Sequence, residues 1–271
     1  MSDYKEKIDN MVWSFSRLTC FEQCKYAFYL QYLLQDKDTY LPEGNFYAEL
    51  GSYVHSILEK IFKGELTVDE SSEYFANHYE ENVCYKVKQE TMDKNYELCN
   101  NYFVEIDFDW LDDYDILGVE LNTRTTICGY EFTGFIDLLI QNKKTKDIII
   151  VDHKSSTYPL TKKGSVLKSQ EHKFDLYKKQ MYLYAYYVKE QYGVYPKEIW
   201  WNYFKSNQFV KIPFKESAYK ETLKWFSDSI RKIESESEYA DNEDYFFCGN
   251  LCNFRNSCEY EQDRKKNRWK K

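Results

Sequence analysis

One short segment of the chain places two chemically useful side chains side by side. The apolar run at residues 148–151 leads into Asp152 and Lys154, and because alternate side chains of a strand share a face, these two point the same way. A second acid, Asp137, ends an apolar stretch just upstream, and residues 142–147 are typical of a turn. Two carboxylates and a lysine gathered by such a hairpin could hold a hard divalent cation beside a phosphate, as in a nuclease.

Each member of this trio would have a separate task in cutting a phosphodiester bond. A Mg²⁺ site takes one or two protein carboxylates, while water and substrate phosphate fill the other positions. The lysine could orient the attacking water or stabilise negative charge in the transition state. An Asp-x-Lys pattern is common, however, and in the alternative interpretation Asp152 only ends a strand while Lys154 is a solvated charge.

Three residues elsewhere in the chain are candidates for the same site. Gln180 and Tyr184 lie one helical turn apart, so both could reach a phosphate or the lysine. The alternative is a core stripe, because the chain has 27 tyrosines. His55 is a candidate third metal ligand, and a neutral imidazole suits Mn²⁺ better than Mg²⁺. Otherwise it is a packed or exposed histidine on a helix.

A compact group of thiols near the end of the chain forms a second candidate metal site. Cys248, Cys252 and Cys258 lie close together in sequence, and a fourth thiolate would come from Cys24 or Cys20. Four thiolates bind Zn²⁺ or an iron–sulfur cluster, and the spacing does not choose between them. The other thiols are predicted to be small buried side chains: Cys84, Cys99 and Cys128.

The composition is that of an ordinary globular protein. The 271 residues are 43% hydrophobic and 19% aromatic, with only 9 Gly and 4 Pro, which predicts one large domain without long linkers. No run of about 18 apolar residues is present, and the N-terminus lacks the apolar core of a signal peptide, so we expect a cytoplasmic protein with no membrane partner. In a reducing cytosol the 8 Cys are expected as free thiols or metal ligands.

Charge neither favours nor excludes a nucleic-acid partner. The formal net charge is −8, with acids concentrated in residues 105–115 and bases in residues 162–179 and in the C-terminal tail. A local basic groove can coexist with an acidic exterior. The Tyr-Lys-Lys sequence at residues 177–179 could stack on bases and hold phosphates, or it could form a solvated helix face.

Periodicity predicts the elements that would carry these residues. Helices are predicted in five places: from Ser14 or Ser16 to about residue 33, at about 46–62, within 68–110, at about 170–192, and at about 216–237. A meander of three strands is predicted, followed by a hairpin: residues 116–127, 130–141 and 147–154, then residues 199–204 and 209–214.

Taken in order, these segments resemble the motifs of RecB-type PD-(D/E)XK nucleases. The matching segments follow one another as in that family: residues 14–18, 24–29, 51–59, 134–137, 152–154 and 180–184. The terminal cysteines resemble those of the iron–sulfur branch, which includes the AddB nuclease domain and the CRISPR-associated nucleases of spacer acquisition. The resemblance covers about residues 13–260, nearly the whole chain.

The resemblance implies a role for each candidate residue. The ligands of a catalytic Mg²⁺ or Mn²⁺ would be His55, Asp137, Asp152 and the backbone carbonyl of His153. Lys154 would be the catalytic lysine, assisted at the phosphate by Gln180 and Tyr184. A [4Fe–4S] cluster would be held by Cys24, Cys248, Cys252 and Cys258. The sequence departs from the family in having three residues between Cys248 and Cys252 where two are expected, and Cys20 competes with Cys24.

The implied fold is α/β, with a PD-(D/E)XK core whose mixed central sheet is flanked by helices, a helical N-terminal region and a C-terminal cysteine cluster. We expect one nuclease domain over residues 1–271, mostly helical at 13–115, with the core at 116–237 and the cysteines and basic tail at 238–271. The implied activity is that of a metal-dependent DNA exonuclease acting on single strands or ends, in recombination, repair, phage DNA processing or CRISPR spacer acquisition, with a larger complex as partner. The alternative is a non-cleaving nucleic-acid-binding or assembly subunit with the same fold.

Overall fold

The computed structural model describes residues 4–34, 44–242, 244–250 and 252–268, so the last three residues of the predicted basic tail lie outside it. Its α-helices, in chain order, are α1 (Lys5–Asp9), α2 (Phe15–Gln23), α3 (Lys25–Phe28), α4 (Phe46–Phe62), α5 (Val68–Asn82), α6 (Gln89–Glu105), α7 (Glu171–Tyr192), α8 (Glu216–Ser235), α9 (Tyr245–Asn250) and α10 (Glu259–Arg268). Among the described residues, no helix combines the length and apolar character needed to cross a membrane.

The strands form one five-stranded sheet and one two-stranded sheet. They are β1 (Tyr114–Asn122), β2 (Thr125–Ile127), β3 (Tyr130–Phe132), β4 (Phe135–Asn142), β5 (Ile148–Lys154), β6 (Glu198–Tyr203) and β7 (Gln208–Pro213). The larger sheet has the order β1-β4-β5-β6-β7, in which β5 and β6 are parallel and the other pairs are antiparallel. The chain passes through α7 between the two parallel strands, as parallel pairing requires a crossover. The predicted α/β fold with a mixed sheet flanked by helices is therefore confirmed.

Short-range signals account for where several helices begin and end. The Thr67 hydroxyl accepts a hydrogen bond from the Glu70 amide, while the Glu70 carboxylate accepts one from the Thr67 amide, so a reciprocal capping box starts α5. α2 begins after Ser14, whose hydroxyl accepts from the Arg17 amide. α7 ends at Gly193 in the left-handed conformation, with φ of 72°, which glycine adopts at little cost.

The prediction of one continuous helix after Ser14 is wrong, because the helix is interrupted at Cys24. The backbone of Cys24 is extended, with φ of −160° and ψ of 112°, and its Sγ accepts a hydrogen bond from the Ala27 amide at 3.4 Å. The thiol thereby caps the next short helix, a role that apolar periodicity does not register. A π-helical turn follows at Tyr29–Leu34.

The predicted three-strand meander is also more divided than expected. The strand predicted at 116–127 is interrupted between β1 and β2, and the one predicted at 130–141 is interrupted between β3 and β4. The inner pieces β2 and β3 form the two-stranded sheet, joined by a turn with Gly129 at φ of 86°. β1, β4 and β5 remain consecutive antiparallel neighbours in the main sheet.

The chain forms two compact units, which we call the sheet unit and the end unit. The sheet unit is Phe46–Thr125 with Thr133–Thr222, and the end unit is Met1–Asn45, Thr126–Phe132 and Leu223–Lys271. In the sheet unit, the buried faces of β4 and β5 share a core with α4, α5 and α6. The end unit has a smaller cluster in which residues from both ends of the chain pack together, among them Leu30 and Phe254.

Candidate active site

Asp152 and Lys154 end β5 on a common face, as the alternation predicts. Lys154 Nζ lies 2.6 Å from Asp152 Oδ2, and only 13% of the lysine side chain and 5% of the aspartate side chain are exposed. Burial opposes the charge on Lys154, but the neighbouring carboxylate of Asp152 outweighs it and raises the pKa of the ammonium group. The end of this buried strand therefore holds a fixed cation.

Asp137 lies on β4 beside the end of β5. Leu138 pairs with Val151 in the register of the two strands, so the next position brings Asp137 alongside Asp152. Its Oδ2 accepts a hydrogen bond from the backbone N–H of His153 at 2.7 Å. Burial, and then the charge of Asp152, raise the pKa of Asp137 to about 8. Without a cation this carboxyl therefore keeps a proton at neutral pH.

Helix α4 brings His55 to the same point. His55 Nε2 lies 3.1 Å from the carbonyl oxygen of His153, and since a carbonyl only accepts, Nε2 carries the proton. Nδ1 is then an acceptor, and it lies 3.6 Å from Asp137 Oδ2. Burial lowers the pKa of His55, so the ring is neutral at pH 7. A neutral imidazole with its lone pair directed at a carboxyl oxygen is a ready cation ligand.

Helix α7 contributes a row of side chains that fix the lysine. Lys154 Nζ donates to Gln180 Oε1 at 3.1 Å, and Gln180 Nε2 donates to the Tyr184 hydroxyl at 3.0 Å. The ammonium also lies 4.3 Å from the centre of the Tyr177 ring, whose hydroxyl donates to Ser156. The predicted contact of the glutamine with the lysine is thus present, and Tyr177 adds an aromatic face that we did not assign to the lysine.

Gly134 makes room for this row. A Cβ at position 134 would lie 2.5 Å from Cε1 of Tyr184 and 3.2 Å from the hydroxyl of Thr123. Real Cβ atoms do not approach other atoms so closely, so any side chain here would displace the tyrosine. The glycine that precedes Asp137 is therefore explained by close packing rather than by an unusual backbone angle.

Glu120 on β1 belongs to the site, although the sequence did not single it out. His55, Glu120 and Asp137 each offer one ligand atom, and these three atoms all lie within 4.8 Å of one another. Burial, and then the charge of Asp137, raise the pKa of Glu120 to about 7. The signal that could have found it is an acid within an apolar strand that pairs with the strand of Asp137.

The side chain of His153 is fixed in the core behind the site, a second feature that the sequence did not reveal. Asn202 Nδ2 lies 3.1 Å from His153 Nδ1 and donates to the Tyr102 hydroxyl at 2.6 Å. The imidazole stacks on Phe62, with ring centres 5.7 Å apart. This anchoring holds the backbone whose N–H and C=O groups contact Asp137 and His55.

The cysteines predicted to bind a cluster line a single cavity in the end unit. Cys24, Cys248, Cys252 and Cys258 are all buried there, together with Asp241 and Glu261. Burial raises the pKa of Cys248 and of Cys252 to about 11, so without a metal these thiols stay protonated.

The remaining thiols do not line the cavity. Cys20 is partly exposed and packs against the same cluster of residues, near Cys24 and Cys252, while its Sγ is 4.0 Å from Gln31 Oε1. Cys99 is buried, as predicted, but Cys84 and Cys128 are exposed, so that prediction was wrong for these two. Their positions beside a helix end and in a tight turn leave them on the surface.

The two lysines that follow Tyr177 are engaged on the helix surface. Lys178 and Lys179 lie 3.0 Å and 3.5 Å from the carboxylate of Asp175. Exposed ion pairs of this kind contribute little stability, and they exchange readily for other anions. Tyr177 thus belongs to the site, whereas Lys178 and Lys179 belong to an ordinary charged helix face.

The arrangement defines a class of protein before any comparison is made. Three carboxyl groups and a neutral imidazole are ligands for a hard divalent cation, and a fixed ammonium lies beside them. Such a site is suited to hydrolysis of a substrate that carries negative charge, with phosphodiesters as the natural case.

Comparison with known proteins gives the family. Residues 12–259 match the PD-(D/E)XK nuclease superfamily, and the chain belongs to it. A crystal structure from Eubacterium rectale, described as a "Putative exonuclease", has a TM-score of 0.51 and 12% sequence identity, covering 96% of this chain and 90% of that one. At this identity the likeness shows a shared fold. No curated protein matches the chain in sequence. Family and fold together imply a nuclease that uses a divalent metal.

Proposed function

We propose that this protein is a divalent-metal-dependent deoxyribonuclease that acts as an exonuclease on single-stranded DNA or on DNA ends. One observation carries the proposal: Asp137, Asp152 and Lys154 lie together at one end of the sheet, beside His55. The superfamily supplies the expectation of nuclease chemistry. The residue types that such chemistry needs are all present in this one place, which argues against an inactive relative.

His55, Asp137 and Asp152, with the backbone carbonyl of His153, would hold Mg²⁺ or Mn²⁺. The donor set fits, because carboxylate and carbonyl oxygens suit Mg²⁺ and an imidazole nitrogen adds a preference for Mn²⁺. The acceptor atoms His55 Nδ1 and Asp137 Oδ2, 3.6 Å apart, face each other without a shared proton when both groups are deprotonated. A cation held by these residues would supply an activated water molecule and would neutralise charge on the scissile phosphate.

Lys154 would act on the water or the phosphate directly. An ammonium group has three N–H donors, and Asp152 and Gln180 take two of them. The third can serve a substrate oxygen without any rearrangement of the other two. Gln180 is itself oriented by Tyr184, so the ammonium is held in place before the substrate arrives.

Support for DNA and for attack at an end comes from the resemblance to RecB-type nucleases, and the Eubacterium rectale protein with the shared fold is itself described as a putative exonuclease. The Tyr177 ring beside Lys154 provides a face on which an unpaired base could stack. The same resemblance supports a role in DNA recombination or repair, phage DNA processing or CRISPR spacer acquisition, in the cytoplasm and with a larger complex as partner.

The test is a cleavage assay with end-labelled single strands, linear duplex and a closed circular single strand, each with Mg²⁺ or Mn²⁺. We expect labelled linear DNA to shorten from an end while the circle stays intact. Asp152→Asn and Lys154→Met should each lower the rate by about 10²-fold or more. Lys146→Met removes the same charge from an exposed lysine in the β4–β5 turn and should leave the rate unchanged.

Three results would change the proposal. Cleavage of the circle would make the enzyme an endonuclease, and cleavage of RNA alone would change the substrate. Wild-type protein that binds DNA and cuts no more than the two variants would support the non-cleaving subunit and refute the enzyme.

We also propose that Cys24, Cys248, Cys252 and Cys258 hold a [4Fe–4S] cluster. All four thiols line one cavity, so a single metal centre could take all four as ligands. The resemblance to the iron–sulfur branch supports a cluster rather than a zinc ion.

A further inference from the structure

We propose that Glu120 is a ligand of the divalent cation, which it shares with His55 and Asp137. The inference rests on the proposed function in one respect, that this site binds a divalent cation. The resemblance to RecB-type nucleases does not supply it, because that resemblance assigns the carboxylate ligands to Asp137 and Asp152. The assignment of Glu120 comes from its position in this structure.

The distances suit a single cation. The ligand atoms of His55, Glu120 and Asp137 all lie within 4.8 Å of one another. Ligands of Mg²⁺ or Mn²⁺ at about 2.0–2.2 Å from the metal are separated by about 3 Å when adjacent and about 4 Å when opposite. Small side-chain movements would therefore bring all three onto one ion. Asp152, the other proposed carboxylate ligand, lies outside this group of three and is 2.6 Å from Lys154 Nζ.

The tautomer of His55 is a second and independent indication. The carbonyl of His153 requires the proton on Nε2, which leaves the lone pair of Nδ1 directed into the group. Nδ1 thus faces Oδ2 of Asp137 at 3.6 Å, so a cation between the two atoms would be coordinated by both.

No other interaction explains the position of the Glu120 carboxylate. Within the described residues its carboxylate takes part in no hydrogen bond and no ion pair, although it is half-buried. The nearby cation Lys63 is paired with Glu59 on α4. A second acid opposite Asp137 gives the fold no evident support, whereas a shared cation would bind both carboxyl groups.

The backbone at Glu120 is strained in a way that also points to function. Its φ is +48°, the left-handed region that favours glycine, and a register shift between Ile116 and Gly118 precedes it in β1. Val119 and Leu121 pair with Leu138 and Ile136, so Glu120 lies opposite Asp137. Strain of this kind persists where the surrounding structure imposes it, commonly at functional sites.

The experiment measures Mn²⁺ binding by calorimetry, without nucleic acid, for wild type, Glu120→Gln and Glu59→Gln. The second variant is the matched control, because it removes an equal charge from a neighbouring acid already paired with Lys63. We expect Glu120→Gln to weaken binding by about tenfold or more, since even outer-sphere partners of metal ligands cost about 10–100-fold. Glu59→Gln should change the affinity by less than about threefold.

A third variant separates coordination from structural support. Glu120→Gly removes both the ligand and the unfavourable φ, so the metal-free protein should melt about 2–4 °C higher while the stabilisation by Mn²⁺ falls. If Glu120 instead supported the fold, this variant would melt lower without metal. The melting curves also show whether each variant is folded.

The outcomes keep the two proposals apart. Equal Mn²⁺ affinity for wild type and Glu120→Gln overturns the role of Glu120, even if the wild type cleaves DNA. Wild-type protein that binds no Mn²⁺ overturns it as well. Binding that depends on Glu120, in a protein that cuts no nucleic acid, upholds the ligand and refutes the nuclease.

Discussion

At the scale of single residues, the site sets the negative charges of its buried acids against the positive charge of one fixed lysine, Lys154. Burial raises the pKa of both Asp137 and Glu120; the charge of Asp152 raises the pKa of Asp137 further, and the charge of Asp137 raises that of Glu120 further. Lys154 is paired with Asp152, and its charge only partly offsets the shift of Asp137. The carboxyl groups that a cation would need are therefore partly protonated at neutral pH when no cation is bound.

This balance predicts a pH dependence of metal binding. Because the pKa of Asp137 is raised to about 8 and that of Glu120 to about 7, a cation must displace protons from them below those values. The pKa of His55 is lowered, so the histidine does not compete. We expect Mn²⁺ affinity to rise about tenfold per pH unit for each proton released between pH 6 and 7, and to level off above about 8. Calorimetry in buffers of different ionisation enthalpy counts the protons, and a count of zero would contradict the prediction.

The same shifts predict how stability depends on pH without metal. A carboxyl whose pKa is higher in the folded protein than in the unfolded chain stabilises the fold fully below its ordinary value, near 4, and loses that contribution as the pH rises toward the folded value. The metal-free protein should therefore melt progressively lower between about pH 4 and pH 8. The Asp137→Asn variant should show a shallower decline, and a slope equal to that of the wild type would exclude Asp137 as its source.

At the scale of secondary structure, the glycine before Asp137 governs the packing of α7 against β4. Gly134→Ala would place a methyl group 2.5 Å from Tyr184 Cε1, so the ring must move and the contact with Gln180 is lost. We expect DNA cleavage to fall about tenfold or more, with a destabilisation of about 1–3 kcal/mol from overpacking.

A matched substitution distinguishes this steric effect from a general sensitivity to alanine. Gly164→Ala places a methyl group where no atom lies within 4 Å, although the positive φ at that position adds backbone strain. It should lower stability while leaving cleavage by folded protein unchanged. Equal losses of cleavage in the two variants would show that the Tyr184 contact is not the cause.

A further prediction at this scale concerns Asn202, because it lies on β6, which joins the site to the core. Asn202→Ala would leave the Tyr102 hydroxyl and His153 Nδ1 without this shared partner in a buried position. We expect a loss of about 1–3 kcal/mol in the free energy of unfolding, measured in urea. Asn101→Ala, on the exposed face of α6, is a control in which removal of the amide leaves no buried group unpaired.

The secondary structure also shows which site residues could be predicted from the sequence. Asp152, Lys154, Gln180 and Tyr184 were predictable because strand and helix periods fix their faces. Glu120 could be found only as an acid in a strand beside that of Asp137; its face could not be predicted, because a register shift and a left-handed residue break the alternation of β1.

Tertiary packing set the other limit on prediction. Asn202 and Tyr102 act through a contact between residues 100 positions apart. Nothing in the local pattern around either residue encodes that contact, so the anchoring of His153 needed the structure. The break at Cys24 is a similar case, since its capping thiol follows from the local backbone geometry rather than from hydrophobic period.

At the scale of the whole molecule, the two chain ends belong to one compact unit. Residues from before position 35 and after position 244 pack together around the cysteine cavity, while the catalytic candidates all lie in the sheet unit. A cluster in that cavity would join segments more than two hundred residues apart. Closing so long a loop restricts the unfolded chain and stabilises the fold.

The cysteines give the last prediction, which concerns cluster content and stability together. Protein purified without oxygen should contain about four irons per chain and absorb at about 400 nm. Cys24→Ser should lose both the absorbance and several degrees of melting temperature, because Cys24 lines the cavity.

Cys20→Ser is the informative comparison, since Cys20 lies outside the cavity wall, and Cys84→Ser is the exposed control. Iron retained in Cys24→Ser and lost in Cys20→Ser would reassign the fourth ligand, and zinc in place of iron would replace the cluster by a single ion. Loss of iron in Cys24→Ser alone, with melting lowered only in that variant, would establish the fourth thiolate as the link between the chain ends.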